Sequence, residues 1–134
     1  MRQRHRGRWD YWRRLERTCF WSLRGCSPEL LDDLDYIRDS MVSAATETGA
    51  TIVGQTFHKF SPTGVTGVVA IAESHLCIHT WPERRYAAAD IFTCGTSFKP
   101  HEAAKLIIAS LRCGEPSITE VQRGPLSEAK ATAV

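Results

Sequence analysis

Between Thr51 and Thr93 the chain lays down four short β-prone segments separated only by turn residues, which leaves no room for a helix. Thr51–Phe60 is rich in β-branched and aromatic residues and closes at the turn Ser61-Pro62-Thr63-Gly64. Val65–Ala72 is a short apolar run suited to a buried strand. His75–Trp81 follows, then a turn at Pro82–Arg85, then a further strand at Tyr86–Thr93.

Helical periodicity flanks this run on both sides. Ser27-Pro28 offers a hydroxyl at the N-cap and proline at the first helical position. Leu30, Leu34, Ile37, Met41 and Ala44 or Ala45 then recur at three- and four-residue steps, and Gly49 is a natural stop, so one continuous helix is expected. Pro100 opens a second helix to about Cys113, with Ala103, Leu106, Ile107 and Leu111 on its inner face. Thr18–Leu23 supplies a first strand and Ser117–Arg123 a last one, giving the order β-α-β-β-β-β-α-β. The expected fold is α+β: a two-layer α/β sandwich, a mostly antiparallel sheet with two helices on one face. Its other face needs a partner, which favours a homodimer.

A chain of 134 residues is one domain, able to bury roughly two-thirds of its unfolded surface. Residues 1–17 carry seven arginines against Asp10 and Glu16, a local balance of +5 that leaves the folded body mildly acidic. Trp9, Tyr11 and Trp12 among those arginines could grip nucleic acid, but the arm reads better as a solvated, disordered extension. The domain is then expected over 18–124, with 125–134 a frayed tail. No apolar run is long enough to span a bilayer, and no secretory leader is recognisable. Cys19, Cys26, Cys77, Cys94 and Cys113 follow no disulfide spacing, so reduced thiols and a cytoplasmic location are expected.

Reactive side chains concentrate in Glu73-Ser74-His75-Leu76-Cys77-Ile78-His79-Thr80-Trp81-Pro82-Glu83 and, downstream, Phe92-Thr93-Cys94-Gly95. In a regular strand His75, Cys77, His79 and Trp81 share one face, with Leu76 and Ile78 on the other. Ser74 and His79 are an odd five positions apart, so one flat strand cannot aim both the same way, and irregular backbone is expected at Glu73-Ser74. Three chemistries fit these residues. Cys94 or Cys77 could be a nucleophile activated by His79 or His75. Cys77, His79, His75 and Cys94 could bind a metal, although no established ligand spacing is present. Lastly, the Ser74 hydroxyl could attack the preceding carbonyl, giving an ester whose β-elimination and hydrolysis leave a pyruvoyl group. Such a ketone forms a Schiff base with a substrate amine and accepts electrons as a carboxylate leaves.

Several stretches bear on that choice: Thr56-Phe57-His58-Lys59-Phe60-Ser61-Pro62, Gly64-Val65-Thr66-Gly67-Val68-Val69, Glu73-Ser74-His75-Leu76, Ile78-His79-Thr80-Trp81-Pro82-Glu83, Tyr86-Ala87-Ala88 and Asp90-Ile91-Phe92-Thr93-Cys94-Gly95. In order and spacing they resemble the prokaryotic S-adenosylmethionine decarboxylase proenzymes, and Cys26–Tyr36 with Arg123-Gly124 extend the likeness. The resemblance implies autocatalytic cleavage between Glu73 and Ser74, with Ser74 becoming a covalent pyruvoyl cofactor. It also implies His79 as the processing proton acceptor, Thr66 as the processing hydroxyl and Cys94 as the proton donor to substrate. Phe60 would stack on adenine and Glu83 bind the ribose hydroxyls. The implied product is decarboxylated S-adenosylmethionine, the aminopropyl donor for spermidine biosynthesis, made by a homodimer without a metal. Arginine or ornithine decarboxylation by the same machinery is the alternative; an unprocessed RNA-binding protein and a Cys–His hydrolase are readings from other classes. The chain departs from the family pattern at Glu16-Arg17-Thr18, at Ser22 and Arg24, and at Arg84-Arg85.

Overall fold

The structure, a computed structural model, describes residues 17–93 and 98–123. In chain order the elements are β1 (Arg17–Arg24), α1 (Pro28–Leu31), α2 (Leu34–Glu47), β2 (Thr51–Lys59), β3 (Val65–Ala72), β4 (Ser74–Trp81), a 3-10 turn (Pro82–Arg84), β5 (Tyr86–Thr93), α3 (Pro100–Leu111) and β6 (Glu115–Gln122). The strands form one six-stranded sheet in the order β2-β3-β4-β5-β1-β6, with every neighbouring pair antiparallel. The short turns of the 51–93 run make the meander β2 to β5, and β1 docks on its far edge while pairing with β6.

One core lies between the helices and one face of the sheet. Leu23, Val69, Leu76, Ile78 and Ile91 point into it from the strands, and Ile37, Met41, Ile107 and Leu111 from α2 and α3. Burial alternates along β5 and most of β1 and β3, as strands covered on one side require.

Three expectations need correction. The first helix is not continuous: it breaks after Leu31 and restarts at Leu34. Asp33 is the cause, because its carboxylate accepts the Tyr36 N–H at 3.0 Å and so caps a new helix inside what the apolar period made look unbroken. The cysteines are not all free thiols: Cys26, after β1, and Cys113, after α3, form a disulfide. A separation of 87 residues hides that pairing in the sequence; the Gly114 N–H, donating to the Gly25 carbonyl at 3.3 Å, holds the two chain segments together. Arg17, assigned to the arm, is the first residue of β1; residues 1–16 lie outside the described residues.

Thr80 ties the short helix to the sheet. Its buried hydroxyl donates to the Leu31 carbonyl at 2.7 Å and accepts the Val65 N–H at 2.9 Å. Thr80→Val keeps the shape and strands both backbone groups, so we expect about 2–4 kcal/mol of lost stability. A fall in urea midpoint with unchanged slope is the measurement; no fall would mean water or a shifted backbone takes over both bonds.

Candidate active site

The β3–β4 hairpin positions the reactive segment. Ile71 pairs with Ser74 across it, leaving Ala72 and Glu73 as the connection, and the Ala72–Glu73 peptide bond is cis. The turn expected at Glu73-Ser74 falls at Glu73, while Ser74 itself is the first residue of a regular strand. Side-chain parity along β4 is as read from the sequence. Leu76 and Ile78 are buried under the helices, whereas His75, Cys77, His79 and Trp81 lie on the helix-free face.

Ser74 shares the parity of Leu76 and Ile78. Its Oγ is buried and has no hydrogen-bond partner among the described residues. A buried hydroxyl normally finds a partner, because leaving one unpaired costs about 1–3 kcal/mol. A buried oxygen unengaged by the described residues beside the hairpin bond is suited to attack on the neighbouring carbonyl, so this position fits a precursor of a backbone-derived carbonyl group. Thr93, at the end of β5, lies across from this end of β4, since His75 pairs with Phe92. Cys94 follows Thr93 and lies outside the described residues.

His79 and Thr66 face each other across β3 and β4, with Thr66 Oγ1 and His79 Nδ1 3.1 Å apart. That contact fixes the imidazole ring and leaves Nε2 for proton transfer. On the same end of the sheet, Thr63 Oγ1 donates to Glu83 Oε2 at 3.0 Å. Phe60 is 46% exposed and meets His58 edge-on at 4.6 Å. Asp32 braces the intervening turn: it accepts the Gly64 N–H at 2.9 Å and the Lys59 ammonium at 2.9 Å, which hold its carboxyl below the usual carboxylate range. Gly64 has φ +109° there, a conformation that an added Cβ would strain, and that Cβ would also press on the Thr80 carbonyl at 3.0 Å.

Phe60, Thr66, His79 and Glu83 thus gather at one end of the sheet and Ser74 stands at the other. His79 is five residues along β4 from Ser74, about 16 Å at strand rise, and projects from the opposite face. Within a single chain, the structure does not bring the predicted processing base to the predicted processing serine. It does add residues that the motifs alone did not single out. Trp81 and Tyr86 stack at 5.4 Å and line, with Glu83 and Arg84, a cleft of about 480 Å³. Only the cross-strand register, Trp81 opposite Tyr86, creates that stack.

The thiols speak to the nucleophile alternative. Burial, with Asp90 adding to it, pushes the Cys77 thiol up to about 11, and burial likewise raises Cys19. A thiol so protonated is a poor nucleophile, and among the described residues His79 is engaged by Thr66 and by no sulfur.

Comparison with known proteins agrees in extent. The sequence profile of the family described as S-adenosylmethionine decarboxylase matches residues 17–124. The chain is 51% identical over 105 residues to a protein of Thermodesulfovibrio yellowstonii named S-adenosylmethionine decarboxylase proenzyme, covering 78% of each chain. It is 46% identical over 122 residues to the Moorella thermoacetica protein of the same name, covering 91% of this chain and 98% of that one. The crystal structure of the adenosylmethionine decarboxylase from Aquifex aeolicus superposes with a TM-score of 0.78 at 32% identity, covering 85% and 94% of the two chains.

Proposed function

The chain belongs to the S-adenosylmethionine decarboxylase family, and from that premise we propose which of its residues carry the reaction and how they meet. The protein is an S-adenosylmethionine decarboxylase, made as a proenzyme, whose cofactor is a covalent pyruvoyl group derived from an internal serine. That group supplies a carbonyl that takes up the substrate amine and draws the electrons left by the departing carboxylate.

Ser74 is the serine, and the observation that carries this assignment is its buried Oγ beside the hairpin bond, unpartnered among the described residues. The Ser74 hydroxyl attacks the Glu73 carbonyl, and cleavage falls between the two residues. His79, with its ring held by Thr66, removes the Cα proton during elimination. Cys94 returns a proton to the substrate Cα after carbon dioxide leaves. Phe60 offers an open aromatic face to the adenine, and the carboxylate of Glu83 accepts hydrogen bonds from the ribose hydroxyls. The Trp81–Tyr86 stack borders the same cleft, and aromatic faces there attract the sulfonium charge.

These roles require a homodimer. Ser74 and the His79–Glu83 group stand at opposite ends of one sheet, and stacking two helix-free faces with their strands reversed sets one chain's Ser74 end against its partner's His79 end; the Ser74 side chain starts on the helix side and must turn around the hairpin edge to meet that group. The helix-free face supports such stacking, since it exposes Phe20, Val68 and Val121 across three strands. Cytoplasmic location and a place in spermidine biosynthesis belong to the same reading; the Cys26–Cys113 link is the feature of the fold that runs against a reducing compartment.

The test is carbon dioxide release from labelled S-adenosylmethionine, arginine and ornithine, alongside intact mass of the purified protein. We expect turnover of S-adenosylmethionine alone and two fragments, 1–73 and 74–134, the second with a mass fitting pyruvoyl instead of serine. Activity confined to a basic amino acid would overturn the substrate assignment, and an unbroken chain would overturn the Ser74 assignment.

A further inference from the structure

His75, Cys77 and Asp90 take no part in the reaction described above, yet the sheet gathers them. Cys77 pairs with Asp90 across β4 and β5, and His75 lies two residues earlier on the same face. We propose that these three side chains form a binding site for a borderline-soft divalent cation of the zinc class, bridging β4 and β5 beside the Ser74 hairpin.

The geometry supports it in three ways. Imidazole nitrogen, thiol sulfur and carboxylate oxygen all lie within 4.8 Å of one another. Donors around a tetrahedral zinc stand roughly 3.3–3.7 Å apart, so small side-chain rotations close the site. The donor set suits zinc, and three protein ligands leave a fourth position for water or a further ligand, enclosed where two helix-free faces stack. These groups are also uncommitted: among the described residues their one mutual polar contact is His75 Nε2 to Asp90 Oδ2, at 3.8 Å. Val68, opposite Cys77, and Phe92, opposite His75, give the three ligands an apolar surround.

A second cluster of comparable composition shows what an occupied set looks like. Cys19, His101 and Glu120 are equally close, but Glu120 is already bonded to Arg17 at 3.0 Å and to His101 at 3.1 Å, and Cys19 is sealed in the core. That carboxylate is spent on Arg17 and His101, whereas among the described residues Asp90 has only the longer contact to His75, at 3.8 Å.

Cobalt titration of the purified full-length protein, free of chelating tag, reads the site without reference to decarboxylation. We expect a thiolate-to-cobalt charge-transfer absorption that saturates at one equivalent per chain and is displaced by zinc. Cys77→Ser abolishes the band, and Asp90→Asn weakens cobalt binding at least about tenfold with an unchanged far-UV spectrum. Zinc raises the Tm of the parent protein and does not raise that of either variant. A band that survives Cys77→Ser assigns the thiolate to another cysteine and overturns the site, as does the absence of a band at saturating cobalt. If Cys77→Ser fails to fold, Asp90→Asn carries the test: equal cobalt affinity in that variant overturns the proposal.

Discussion

Ser74→Ala remains a single chain of 15.0 kDa and loses decarboxylation of S-adenosylmethionine by at least about 10⁴-fold. The size of the effect follows from what the side chain becomes. The variant removes the hydroxyl needed for cleavage and with it the only route to the carbonyl that accepts the substrate's electrons, so no partial cofactor remains. Folding is expected to survive, because the lost oxygen makes no hydrogen bond to the described residues. Removing an unpartnered buried hydroxyl is stabilising or neutral, and the urea midpoint should not fall. The measurement is denaturing mass spectrometry with a radiometric assay on the same preparation. Cleavage of the Ser74→Ala chain between residues 73 and 74, or full activity in an uncleaved chain, would sink the assignment; the latter is what a Cys–His hydrolase requires.

Co-expressed Ser74→Ala and Glu83→Gln chains recover an activity that neither has alone. Glu83→Gln by itself should process normally and lose about 10- to 100-fold in kcat/KM, the worth of a charge-assisted hydrogen bond to the substrate. In a mixed dimer, one site draws Ser74 from the Glu83→Gln chain and Glu83 from the Ser74→Ala chain, and is therefore intact. Random pairing makes half the dimers mixed with one good site in each, so about a quarter of the parent activity returns. The prediction rests on the separation along β4, where Ser74 begins the strand and Trp81, two residues before Glu83, ends it. That span is about 23 Å at strand rise, far beyond the reach of one bound substrate contact. Activity no greater than the sum of the separate chains, with a monomeric mass in solution, would mean that each chain works alone.

Much of the fold was legible because its signals are local. The turn at Ser61–Gly64, the period-two burial of β3 and the proline at the start of α3 each act within a few residues, and each element came within two residues of its observed limits. The break between α1 and α2 was missed for an instructive reason. Asp32 and Asp33 fall inside the expected continuous helix, but Asp33 caps a new helix and Asp32 turns away to hold Gly64 and Lys59. The apolar period runs straight through both. The Cys26–Cys113 disulfide was missed because it joins two turns that only the pairing of β6 with β1, where Arg24 meets Glu115, makes neighbours.

The site divides along the same line. Order and spacing of motifs singled out Ser74, His79, Thr66, Cys94, Phe60 and Glu83, and the alternation of side chains along β4 set His79 on the other face from Leu76 and Ile78. Chemistry of this kind is written in residue identity, so the sequence alone determined what sort of reaction the chain performs. What the sequence left open is which residues share a space. Five positions along a strand are close in a written motif, but an extended backbone carries them about 16 Å apart and onto opposite faces. Antiparallel pairing likewise brings Thr66 to His79, Trp81 to Tyr86 and Cys77 to Asp90 across separations that no motif encodes. Tertiary structure decided those encounters, because distance in a sheet is set by register and strand rise and not by position along the chain.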